Sequence, residues 1–215
     1  MESPQSNENI EKLGENLFKG AYATCYFDEE GKFQPAPLSQ TIRVIYPMKT
    51  MEANLDIFIY NKKMGFYEPN GNNKLRVIIK KSLSDMYREK HAIAIIDDIT
   101  ATTTVSRSTL EQPIHLIPVK NCVLDIGSNP PKALPHNPEY FFTSVLPTEF
   151  NPNARCPSFL KFLEQILPEK RYRLQIQEMF GNTLWREYTF DAAFMLIGAG
   201  NNGNARACVH ASRLL

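Results

Sequence analysis

Residues 198–205 read Gly198-Ala199-Gly200-Asn201-Asn202-Gly203-Asn204-Ala205, a glycine-spaced turn of the kind that wraps backbone N–H groups around phosphates. In a working loop, G-x-x-x-x-G-K-[ST], the lysine reaches the β and γ phosphates and the Ser or Thr hydroxyl holds Mg²⁺. Here Asn204 stands where the lysine belongs and Ala205 where the hydroxyl belongs. The backbone cradle of Gly198, Gly200, Asn201, Asn202 and Gly203 survives, but neither the charge that offsets a triphosphate nor the oxygen that holds a metal is present. The reading is a degenerate nucleotide-binding loop with no catalytic residue. Taken alone, the hexapeptide fits an Asn/Gly-rich surface loop equally well. The context weighs toward a nucleotide loop, because residues 192–197 form a continuous apolar run, the pattern of a parallel strand buried on both faces.

Phosphate chemistry of a different kind is offered by the basic residues. Lys80 and Lys81 belong to a stretch in which Lys74, Arg76, Arg88 and Lys90 also outnumber Asp85 and Glu89. Lys170, Arg171 and Arg173 open a second helical pattern, with Lys161 and Arg155 nearby in sequence. These two groups are the candidate DNA contacts, through phosphate and not through bases, with an ordinary solvated helix face as the competing reading. No metal site is expected. His91, His115, His136 and His210 lack ligand spacing, and the adjacent carboxylates Asp97 and Asp98 point in different directions on a helix.

The elements that must position these groups divide the chain unevenly. Residues 1–50 read as a weakly ordered lead-in, polar at first and then broken by Gly31, Pro35, Pro37 and Pro47. Ile57, Ile59 and Phe66 alternate with Asp56, Phe58 and Tyr60 around a Gly65-containing turn, which predicts a hairpin over 57–68. Leu75, Ile78, Ile79, Leu83 and Met86 follow helical spacing and predict a basic amphipathic helix. Residues 92–99 read as a helix with Asp97 and Asp98 outward, their short length leaving a buried strand open. Ten of the fifteen prolines fall between Pro113 and Pro168, so that segment is predicted to be largely irregular yet packed, given its many apolar side chains. Pro157 starts a helix that carries Phe159, Phe162, Leu163, Ile166 and Leu167 before Pro168 stops it. A second helix over 170–180, with Gly181 as its C-terminal signal, places Tyr172, Ile176, Met179 and Phe180 on one side.

Composition bounds the rest. The 215 residues are 43% hydrophobic, enough to bury one domain's core or a small domain plus part of another. Lys plus Arg number 24 against 23 for Asp plus Glu, so no global field advertises a nucleic-acid or membrane partner. Cys25, Cys122, Cys156 and Cys208 have no Cys-x-x-Cys spacing and the first eleven residues are polar, which together suggest reduced thiols in a cytoplasm. No apolar run approaches the ~20 residues of a membrane span.

From Asp56 onward the chain resembles the domain that precedes the superfamily-three helicase module in primase-helicases of plasmids, phages, poxviruses and integrated archaeal elements. The resemblance rests on Ile57-Phe58-Ile59-Tyr60 through Gly65-Phe66-Tyr67, and on Val119-Lys120-Asn121-Cys122-Val123-Leu124-Asp125. It rests equally on Pro135-His136-Asn137-Pro138-Glu139-Tyr140-Phe141-Phe142-Thr143, on Phe150-Asn151-Pro152-Asn153-Ala154 with Cys156-Pro157, and on Gln177-Glu178-Met179-Phe180-Gly181. It departs from the family at Cys122, where Gly is usual, at Asn182-Thr183, and at the loop's missing Lys and Ser or Thr.

The resemblance implies an α+β architecture: a small mixed α/β segment, the Pro-rich connector and a helical hairpin. The expected layout is a collar-like domain over 51–190, then the first strand and loop of a truncated P-loop ATPase domain over 191–215. The family pattern holds to Gly203 and nothing after it follows, which suggests a break in the reading frame. The intact family uses ATP and Mg²⁺ and assembles a homo-oligomeric ring; for this chain no cofactor, no ATP turnover and no such ring are expected. DNA remains the candidate partner and a membrane does not. Two functions stay open: a non-catalytic collar module of a replicative primase-helicase, or a stand-alone nucleic-acid-binding or interaction module that reuses the fold.

Overall fold

Leu38, Ile42 and Ile45 recur at four and three residues, and they form the buried side of α1 (Pro35–Ile45), with Pro35 suited by its fixed φ to the helix start. Leu38 and Ile42 are wholly buried in the computed structural model, which describes residues 23–185. For residues 23–50 this corrects the expectation of a weakly ordered lead-in over 1–50, the rest of which lies outside the described residues. Tyr26, in a one-turn 3-10 helix Ala23–Tyr26, is also in the core, and a boundary at residue 50 would cut β1 (Met48–Met51).

β1 pairs antiparallel with β2 (Ile57–Asn61), which pairs antiparallel with β3 (Phe66–Glu68) in the predicted hairpin, with Asn61 opposite Phe66. The turn is fixed by Asn61, whose Oδ1 accepts the N–H groups of Lys63 and Met64, and by Gly65 at φ 73°. α2 (Gly71–Leu83) follows, then α3 (Glu89–Thr103), which confirms the helical reading of 92–99. α3 runs into β4 (Thr104–Val105), parallel to β1, giving the sheet order β3-β2-β1-β4, and a single helical turn α4 (Arg107–Leu110) closes the run. Leu38 and Ile42 of α1, Ile57 and Ile59 of β2, Leu75 and Ile79 of α2, and Ile95 and Ile99 of α3 belong to one core. Asp98 does not face outward as expected: it accepts a hydrogen bond from Ser39 Oγ of α1.

The chain to Glu111 together with Asn137–Thr143 forms one compact unit; Gln112–His136 and the chain from Ser144 form the other. The returning stretch 137–143 covers the second face of the four-stranded sheet. Phe141 meets Phe58 edge-on at 5.4 Å and Tyr67 at 5.0 Å. Both sheet faces are therefore apolar, which is why Phe58 and Tyr60 alternate with Ile57 and Ile59 without a polar side.

In the second unit, β5 (Leu116–Val119), β6 (Cys122–Asp125) and β7 (Lys132–Leu134) form an antiparallel sheet in that order. This corrects the largely irregular connector: Pro118 lies inside β5. It is tolerated because β5 is the edge strand of that sheet and the Pro118 carbonyl turns away from β6 to accept the Leu146 N–H. α5 (Pro157–Ile166) begins where expected. α6 runs Lys170–Thr183, so Gly181 lies inside the helix and is not its terminator. The fold is mixed α+β with two small sheets. The apolar run 192–197 and the glycine loop lie outside the described residues.

Candidate nucleic-acid interface

α2 presents its basic residues opposite Leu75, Ile78, Ile79 and Leu83, as its periodicity requires. Two of them are internally committed. Lys74 pairs with Glu68, which Asn61 Nδ2 also holds at 2.6 Å, and Arg76 pairs with Glu89 at the start of α3. Glu68 is accordingly held below the usual carboxylate range, first by the Lys74 contact and then by Asn61. Lys80 and Lys81 occupy the last turn, where a cation complements the helix dipole. Lys80 is exposed and its ammonium has no ion pair or hydrogen bond among the described residues, whereas Lys81 does have a partner.

The helical pair α5–α6 arranges the other candidates. Phe159 and Phe180 approach at 6.0 Å, and Leu163 and Ile176 are the buried side chains of the two helices. Arg173 Nη1 donates to the carbonyls of Leu167 and Pro168 at 2.8 and 2.7 Å, so it closes the turn between the helices and is spent there. Arg171 Nε pairs with Glu169 at 2.9 Å, and its Nη2 donates to Tyr172 Oη at 2.7 Å with the guanidinium 4.6 Å from that ring's centroid. Lys170 is exposed, and its ammonium has no partner among the described residues. Of the five predicted contacts, Lys80 and Lys170 are open to a phosphate, Lys81 and Arg171 are exposed but engaged, and Arg173 is a structural cap. The two groups belong to separate units and form no single patch in sequence or in either unit. Sequence reasoning placed Tyr172 with the apolar side of α6, yet it is 39% exposed. The legible signal was its position beside Lys170 and Arg171 in the first turn.

The segments that carry the family resemblance turn out to build framework. Tyr67 donates through its phenol to the Pro138 carbonyl and through its backbone N–H to the Phe142 carbonyl, each at 2.6 Å. Lys49 Nζ donates to the Glu139 carbonyl at 3.0 Å while lying 5.6 Å from the Tyr67 ring centroid. Burial pushes the Tyr67 phenol up and the Lys49 ammonium down, the latter opposed by Glu139. Asn121 acts as a strand surrogate: its Nδ2 donates to the Phe150 carbonyl and its Oδ1 accepts the Phe150 N–H, both at 2.9 Å. His136 Nε2 lies 3.1 Å from the Lys120 carbonyl. His115 sits 3.8 Å from Asp125, and His91 is stacked on Phe33 at 4.3 Å. Among the described residues, no three His, Cys, Asp or Glu side chains are grouped to hold a metal ion, and no helix is long and apolar enough to cross a membrane. Gly198, Gly200, Asn201, Asn202, Gly203, Asn204 and Ala205 lie outside the described residues.

A family model described as D5 N terminal like matches residues 29–168, well over half of the chain, and takes in α1, which lies ahead of the Asp56 where the sequence resemblance begins. No curated protein matches the chain. Hairpin, strap and edge-strand anchors thus coincide with the matched span, and the chain belongs to the D5 N-terminal-like family, the N-terminal module of D5-like primase-helicases.

Proposed function

We propose that this chain serves DNA replication as a non-catalytic, collar-like module of a cytoplasmic primase-helicase, touching DNA weakly through phosphate and hydrolysing no ATP of its own. The observation that supports this reading is the use made of the family-matched residues. Tyr67, Asn121, Pro138, Glu139 and Phe142 are spent on internal hydrogen bonds that brace two small sheets, a positioning role and not a reacting one. The degenerate loop agrees, since Asn204 and Ala205 supply neither phosphate charge nor metal oxygen. Nucleic-acid contact would fall to Lys80 and Lys170.

Two measurements on the purified chain test it. ATP-dependent phosphate release should stay at background, and single-stranded DNA should bind with Kd on the order of 10⁻⁵ M at physiological salt, weakening steeply as salt rises. Steady ATP turnover, or tight binding indifferent to salt, contradicts the proposal. The second reading, a stand-alone interaction module, draws on the exposure of Leu160 and Leu174 on the helical pair. A specific protein partner captured through α5–α6, with no DNA binding, would favour it.

A further inference from the structure

We infer that the first turn of α6 is a stacking contact for single-stranded nucleic acid, with an unpaired base lying on the Arg171–Tyr172 pair and Lys170 meeting the adjacent phosphate. This rests on the nucleic-acid reading above and narrows it to one platform and one state of the strand.

Tyr172 exposes over a third of its surface, although the buried line of α6 runs through Ile176. Its ring is not loose. Arg171 lies over it at 4.6 Å, bonds its hydroxyl at 2.7 Å and is itself anchored to Glu169 at 2.9 Å. These contacts favour one arrangement of guanidinium and ring before any ligand arrives, which lowers the entropic cost of binding by a small amount. Guanidinium planes and aromatic rings are the surfaces on which splayed bases stack, without sequence preference, because every base has a π-face. Glu169 is the one carboxylate in this contact set and Arg171 neutralises it; the first helical turn carries no acid. Lys170, exposed and unpaired among the described residues, is the charge left for the backbone. A duplex cannot use this platform, since its base faces are buried in the stack.

The test is fluorescence anisotropy of the full chain with a labelled oligo-dT strand and with an oligo-dA·oligo-dT duplex, over a salt series. Tyr172→Ala should weaken single-strand binding on the order of tenfold with an unchanged salt slope, and Tyr172→Phe, which keeps the ring but loses the Arg171 bond, should weaken it by less than Tyr172→Ala does. Lys170→Ala should make the slope shallower by about 0.7, the single-strand value for one phosphate. If Tyr172→Ala, folded by circular dichroism, binds like the parent, or if duplex and single strand bind equally, the platform is wrong while phosphate contact stands. If the parent chain binds neither, the nucleic-acid reading itself fails and takes the platform with it.

Discussion

The two compact units solve the same problem by different means. In the first, a four-stranded sheet is covered on one face by three helices and on the other by the 137–143 strap, and it holds Leu38, Ile42, Leu75, Ile79, Leu83, Ile95 and Ile99 fully out of water. In the second, the three-stranded sheet is braced by Asn121 and Pro118 contacts, and each helix of the pair buries one side chain, Leu163 or Ile176. A large buried core holds the first unit; in the second, a smaller core of Leu116, Ile117, Val119, Cys122 and Val123 is supplemented by hydrogen-bonded loops. Open apolar side chains occur on both: the first unit exposes Val44, Leu55, Val77 and Ile93, and the second Leu160, Tyr172 and Leu174, of which only Tyr172 has a basic residue on each side.

The contrast is most sharply tested by truncation. Ile42→Ala should cost about 2–5 kcal/mol, because Ile42 is wholly buried where α1 packs on α3 and truncation leaves a cavity in that core. Leu174→Ala, on the exposed side of α6, should change stability by no more than about 0.5 kcal/mol. Urea denaturation of both variants decides; equal losses would erase the distinction. Next in size is Gly71, at the start of α2. A Cβ there would lie 2.5 Å from the Ile57 carbonyl oxygen and 2.7 Å from Ile57 Cγ2, so Gly71→Ala must part helix from strand and should cost about 1–3 kcal/mol or more by the same assay.

Much of this layout is legible in the sequence, and the misses share a cause. Pro157 marks a helix start in sequence and in structure, whereas Pro35 and Pro37 suggest a break but open a helix, and Leu38, Ile42 and Ile45 follow them at helical spacing as Phe159, Phe162, Leu163 and Ile166 follow Pro157. The density of prolines between Pro113 and Pro168 points to an irregular segment because an edge position such as that of Pro118, where the lost N–H has no partner to miss, cannot be seen without the sheet order. At the candidate interface, charge and helical position were legible. The commitments that remove Arg173 and Arg76 were not, because they depend on where the Leu167 carbonyl and Glu89 fall in space.

A further test separates burial from charge within the first unit. His91, in the first turn of α3, is stacked on Phe33 and edge-on to Phe27, with Nδ1 buried and without a hydrogen bond among the described residues. Burial holds its pKa below the usual histidine value, with Lys90 and then Arg88 adding repulsion and a Met86 backbone bond opposing. The unfolded chain therefore binds the proton more readily, so stability is fully present above about pH 6.5 and falls as pH drops through the folded-state value. Thermal melts of the parent and His91→Phe between neutral and mildly acidic pH should diverge on the acid side, the parent losing more. Parallel curves would show that the aromatic enclosure does not exclude the proton.

The smallest effect, and the one with an informative sign, belongs to Gly181. The sequence suggests a helix terminator, which would need a left-handed residue at that position, but α6 continues through it to Thr183 and its backbone is right-handed. An added Cβ meets nothing within 4 Å. The Leu184 N–H donates to the Gly181 carbonyl at 3.1 Å and the Trp185 N–H to the Asn182 carbonyl at 3.2 Å, so the helix ends beyond Gly181. Under those conditions glycine only adds backbone entropy to the unfolded chain, and Gly181→Ala should stabilise by about 0.5–1 kcal/mol. A terminator would behave oppositely, since forcing alanine into the left-handed region costs roughly 1–2 kcal/mol. Urea midpoints of Gly181→Ala and Gly71→Ala, measured together, should therefore move in opposite directions. If both fall, α6 ends at Gly181 and the extra turn carrying Asn182 and Thr183 does not form.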